Sequence, residues 1–265
     1  MKNNYLRKLF KIMCLLISVI QICSSAYSDE LEINVDSQGN TYYSCTAYDR
    51  DFVNYISTDH YSQISSSCVD MWKTHAGKFG LKSNDWKNGW GFNSCTEKSP
   101  LKRVLKSLEL IKISRNDNLS SNKAINYMYN RAANYTNEIK PLCARDENQG
   151  AVGSFAWGKM KLYSAGIKTD LMYLTSIITH EARHRKKMHN VFFSPGECTW
   201  GGSCDSSYDY YGANAYELVY LWAYGVQSQN SSRYTRQRAL DIAQITNKTA
   251  FKVSPNFNIP VYASE

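Results

Sequence analysis

His180-Glu181-Ala182-Arg183-His184, continued by Arg185-Lys186-Lys187-Met188-His189, is the stretch on which the reading of this chain turns. Its first five residues are H-E-x-x-H. On a helix, residues four apart share a face about one turn apart, so His180 and His184 can present both imidazoles to one point. That pair suits Zn²⁺, whose bonds to histidine nitrogen are roughly 2.0–2.1 Å long. Glu181, beside the first histidine, is placed to take a proton from a water at the same point. The chain has only 5 histidines, and His180, His184 and His189 fall within one short run. The competing reading is a polar helix whose His, Glu and Arg face water.

The flanking sequence favours an ordered helix. Leu171, Leu174, Ile177 and Ile178 make an apolar face that leads into His180, and Thr169 or Asp170 is a fair N-cap. Before it, residues 155–163 alternate as a strand, and Ala165-Gly166 turns the chain. Arg185-Lys186-Lys187 puts positive charge near the helix end, and Pro195-Gly196 stops it. A Cys- and Gly-rich loop over 196–209 follows. Residues 212–224 then read as a helix apolar on more than one side, hence buried, and 233–247 as a last amphipathic helix.

The N-terminal half is less regular. Residues 29–41 read as a loose polar leader, 42–75 as short helices, and 76–99 as a loop-rich segment held by aromatics and a disulfide. The apolar stretch 104–113 reads as a helix running into a strand. Residues 123–140 have helical spacing, with Pro141 as the stop.

A strand, a turn, a capped helix with H-E-x-x-H, a loop and a second buried helix together resemble the zincin superfamily of zinc metallopeptidases. The resemblance covers roughly residues 155–225. It implies an α+β fold: a mixed sheet, an active-site helix and a mainly helical C-terminal part, here stapled by disulfides. It also implies that His180 and His184 bind Zn²⁺ and that Glu181 is the general base acting on a peptide carbonyl. A catalytic zinc needs a third protein ligand. Glu217, on the following helix, fits the gluzincin pattern and is preferred. A carboxylate on a buried apolar helix also needs a partner. His189 is the alternative. The metzincin pattern has a sixth-residue histidine and a midpoint glycine, whereas here the offset is five and Lys187 stands in the glycine's place. Were the helix to continue, His189 would point about 140° away from His184. Asp205 and Asp209 complete the candidates. Tyr208, Tyr210, Tyr211 and Tyr216 are available as oxyanion donors. His60 and His75 read as structural.

Residues 1–28 look like a secretory signal peptide. Lys2, Arg7, Lys8 and Lys11 precede an apolar run over 12–23, and Ala26-Tyr27-Ser28 offers a cleavage site. Losing those four cations takes the formal net charge from +8 to +4, and no basic block remains, which argues against a nucleic-acid partner. No second long apolar run predicts membrane insertion. Cys45, Cys68, Cys95, Cys143, Cys198 and Cys204 remain, an even number that suggests disulfides in an exported chain. Cys198–Cys204 is the easiest local pair. The expected organisation is a signal peptide over 1–28, a Cys- and aromatic-rich region over 29–99, and a zincin-like catalytic region over 100–265. The expected protein is a secreted or periplasmic monomeric zinc metallopeptidase acting on a peptide or protein. The alternatives are a secreted non-enzymatic binding protein on the same scaffold, or a zinc amidase acting on cell walls. N-terminal sequencing of the exported protein should begin at Asp29, or at Tyr27 if cleavage follows Ala26; a mature chain starting at Met1 would exclude the signal.

Overall fold

Ser99 and Pro100 start the helix around which much of the core is built. Pro fits the first helical position because its missing N–H would have no partner there, and the Ser99 side chain accepts from the Lys102 amide at 3.2 Å. The structure, a computed structural model, describes residues 32–35, 41–44, 64, 66–87, 90–93, 95, 99–114, 124–142, 151–153, 157–191, 204–228 and 231–256. The expected signal over 1–28, and His60, Cys45, Cys143 and Cys198, lie outside the described residues.

In chain order, β1 (Glu32–Val35) pairs antiparallel with β2 (Thr41–Ser44), inside the segment read as a loose leader and the start of the short helices. Next come α1 (Cys68–Phe79), a 3₁₀ turn at Ser83–Trp86, α2 (Pro100–Ile113) and α3 (Ile125–Tyr135). Strands β3 (Glu138–Leu142), β4 (Ala151–Gly153) and β5 (Lys159–Tyr163) make a mixed sheet in the order β3-β5-β4. β3 runs parallel to β5, and β4 antiparallel to it. Then follow α4 (Ser164–Lys168), α5 (Leu171–Arg183), β6 (Asp205–Ser207), α6 (Ala213–Gln227), α7 (Arg233–Thr249) and β7 (Phe251–Val253), with β6 and β7 parallel. Among the described residues no helix is long and apolar enough to cross a membrane.

Three sequence expectations change here. Residues 104–113 belong to one helix with no strand. Leu101, Val104, Leu105, Leu108 and Ile111 fall at helical spacing and are buried, so packing overrides the β-branched residues at its end. α3 stops at Tyr135, and Pro141 lies within β3 instead of ending a helix. β3 is at the sheet edge, where a residue without N–H is tolerated. α5, the helix that carries the H-E-x-x-H motif, stops at Arg183, well before Pro195-Gly196.

α5 packs against α6, α2 and α3, and α6 against α7. The α6–α7 contact is close at Gly225, where a Cβ would run into the Leu240 side chain. Asp170 caps α5 by accepting from the Tyr173 amide at 3.1 Å, and Arg238 of α7 holds its other oxygen at 2.6 Å. Buried Arg103 of α2 donates to the Ile167 carbonyl at 2.9 Å and also to that of Thr169, fixing the chain just before α5. A Cys68–Cys95 disulfide ties α1 to the segment before α2.

A buried polar cluster joins the first three helices. His75 Nε2 lies 2.7 Å from Glu109 and Nδ1 lies 2.8 Å from the Tyr129 hydroxyl. Burial alone would raise the Glu109 pKa, but hydrogen bonds with His75 and Lys112 hold it below the usual range. Burial also pushes the Tyr129 phenol up to about 12. A carboxyl depressed in the folded state contributes stability above its unfolded value of about 4.3, and loses it as pH falls through the folded value. Glu109→Ala should therefore cost about 3 kcal/mol at neutral pH by orphaning His75, with the gap to the parent narrowing below about pH 4. Urea unfolding at the two pH values measures both.

Candidate metal centre

His180 lies in the last turn of α5, and His184 is its C-cap. Beyond Arg183 the chain tightens. The His184, Arg185 and Lys186 amides bond to the carbonyls of Glu181, Ala182 and Arg183 at 3.2, 3.3 and 2.8 Å. This three-residue winding turns the backbone out of the helix. It needs no left-handed residue, because among the described non-glycine residues only Cys95 and Tyr211 have positive φ. Lys187 can therefore stand where the metzincin pattern has glycine, and the sequence carried no signal of the turn.

The turn brings His189 back to the motif. Ring centroids lie 5.0 Å apart for His180–His184, 5.1 Å for His180–His189 and 4.8 Å for His184–His189. One nitrogen from each lies within 4.8 Å of the others, so the three can hold a metal ion. Each ring is also held from behind through Nδ1. His180 Nδ1 is 3.0 Å from Glu217 Oε2, His189 Nδ1 is 2.9 Å from Asp205 Oδ1, and His184 Nδ1 is 3.2 Å from the Lys187 carbonyl. All three partners are acceptors. Acceptors at Nδ1 favour the tautomer protonated there, the arrangement that orients histidine ligands at metal sites, although Asn214 Nδ2 also lies 3.5 Å from His189 Nδ1.

The preferred third ligand, Glu217, is not in this group. It is buried on α6, and its partner is the His180 imidazole, which answers the need that the apolar helix created. Asp205 likewise stands behind His189, and Asp209 is exposed on the neighbouring 3₁₀ turn. The group that could hold an ion contains His189, the alternative to Glu217. Glu181 is beside the centre, with Oε2 3.9 Å from His184 Nε2.

The electrostatics differ from ring to ring. Burial opposes charge on His180, but the hydrogen bond and charge of Glu217, helped by Glu181 and Asp205, raise its pKa to about 9. Burial, with the charges of His180 and His189 beside it, drives His184 down to about 3 despite the Lys187 carbonyl.

Downstream contacts pin the turn. Arg183 donates to the Tyr211 carbonyl at 2.9 and 3.2 Å and lies over the rings of Tyr216 and Tyr135. Lys187 Nζ donates to the Tyr210 carbonyl and sits 3.9 Å from that ring, while the Tyr210 hydroxyl donates to Met188 at 2.9 Å. Asn190 exchanges two bonds with Ser206 at 2.8 Å. Val191 and Cys204 form a backbone bridge. Cys204 is disulfide-bonded, while its expected partner Cys198 lies outside the described residues. Among the tyrosines read as oxyanion donors, Tyr210 is thus a clamp, Tyr216 packs beside Arg183 and Tyr135, and Tyr208 meets exposed Tyr211 edge-on.

Comparison with known protein families, curated proteins and solved structures finds no match to this chain, so the functional reading rests on the geometry of the site. If His189 is the third ligand, His189→Ala should lose most zinc affinity, whereas Glu217→Gln should retain three nitrogen ligands and weaken binding by about 10- to 100-fold. Competition with a chromophoric chelator ranks the two variants.

Proposed function

We propose that this chain is an exported zinc-dependent hydrolase that cleaves peptide bonds. The observation that carries the reading is the convergence of three Nδ1-anchored imidazoles next to the Glu181 carboxylate. His180, His184 and His189 would hold the ion, which suits zinc because imidazole is one of its preferred donors. A three-histidine set leaves the fourth position open to water or substrate. When bound, zinc supplies Lewis-acid chemistry that makes water a nucleophile near neutral pH.

Glu181 accepts the proton as water attacks the scissile carbonyl. The new C–O bond forms on the carbonyl carbon, the C–N bond breaks, and Glu181 returns the proton to the leaving amine. The neighbouring sheet supports a peptide substrate. Among the described residues β4 is hydrogen-bonded to β5 on one side alone and packs beside α5, and such an edge suits an extended chain added by backbone bonds. Export is supported by the Cys68–Cys95 disulfide, since such bonds persist in oxidising compartments.

The purified protein should contain about one zinc per chain. Glu181→Gln should keep the metal while hydrolysis of an unfolded protein substrate falls about 10²- to 10⁴-fold. Protein that takes up no zinc with its ligands intact, or a Glu181→Gln variant of full activity, overturns the proposal.

A further inference from the structure

We infer that Asp205 is the positioning residue of the His189 ligand and that Gly212 is required where it stands to give the Asp205 carboxylate room. The inference rests on the metal reading of the triad and extends it to residues outside the motif. Asp205 is fully buried, and both of its oxygens are used. Oδ1 accepts from His189 Nδ1 at 2.9 Å, and Oδ2 accepts from the Asn214 amide at 3.1 Å, in the first turn of α6. One carboxylate therefore joins the ligand segment to the start of the helix that carries Glu217.

The backbone on both sides is built to keep it there. The Asp205 amide donates to the Ala250 carbonyl at 3.2 Å, and Asn214 Nδ2 donates to the same carbonyl at 2.8 Å. A Cβ on Gly212 would run into all three atoms of the Asp205 carboxyl group. Gly212 has no positive φ, so space rather than backbone conformation is what demands glycine. His189 is the only member of the triad that lies outside the helix and its cap. Its ring direction is set by this carboxylate and by the clamps on residues 187–191, and not by helical periodicity.

The alternative is that Asp205 serves only as a helix cap. The two roles separate by experiment. Zinc affinity is measured by chelator competition on wild type, Gly212→Ala and Asp205→Asn, together with the visible spectrum of each after cobalt(II) substitution and the unfolding midpoint without metal. Both variants should bind zinc about 10- to 100-fold more weakly, and their cobalt spectra should move toward that of His189→Ala. Variants that unfold earlier yet bind zinc as tightly as wild type, with an unchanged cobalt spectrum, leave only the cap and overturn the inference alone. Wild-type protein that takes up no zinc overturns the metal reading as well. Should the variants fail to fold, nitrogen-15 NMR of metal-free wild type still decides. His189 carrying its proton on Nδ1 is expected, and a proton fixed on Nε2 overturns the inference.

Discussion

An imidazole offers a metal a lone pair only through a nitrogen that carries no proton, so this centre depends on what holds the proton at the other one. His180, His184 and His189 each meet an acceptor at Nδ1, and one ring nitrogen of each lies within 4.8 Å of the others. His75 shows the contrast within the same chain. Tyr129 takes one of its nitrogens and Glu109 the other, so a fully buried histidine is left with nothing to give an ion. Residue type does not separate the two cases; the number of unused ring nitrogens does.

The three acceptors come from different parts of the fold: Glu217 from α6, Asp205 from β6, and the Lys187 carbonyl from the turn after α5. The centre is therefore a product of tertiary packing, although two of its histidines are set by helical spacing. The basic run after the motif has a matching role. Arg183, Arg185 and Lys187 spend their donors on the Tyr211, Asn134 and Tyr210 carbonyls. A patch that could have suggested an acidic partner is used as clamps on the turn that returns His189.

What the sequence revealed follows from the range of the forces involved. The α5 cap at Asp170, its apolar face and the His180/His184 spacing are local, and were legible as such. Glu217 was recognisable as a carboxylate in need of a partner, but whether it faces an ion or the back of a ligand ring depends on how α6 lies against α5. The return of His189 was hidden because its turn is made by 3₁₀ winding without a glycine, and its supports come from residues 204–211. Asp205 was visible only as one more acidic candidate. The sign that could have raised it is Gly212, a glycine at a helix start with no conformational need to be one. The long helix α2 was misread at its end because β-branched residues near 111–113 resemble a strand until burial is known.

The backbone bridge between Val191 and Cys204 acts as a neck. Its two hydrogen bonds, 3.1 and 2.9 Å, join the chain two residues after His189 to the chain one residue before Asp205. His189 and its carboxylate partner Asp205 thus meet beside a backbone-paired base. Because both bonds are made by backbone groups, the register of His189 against Asp205 does not call on the side chains at 191 and 204.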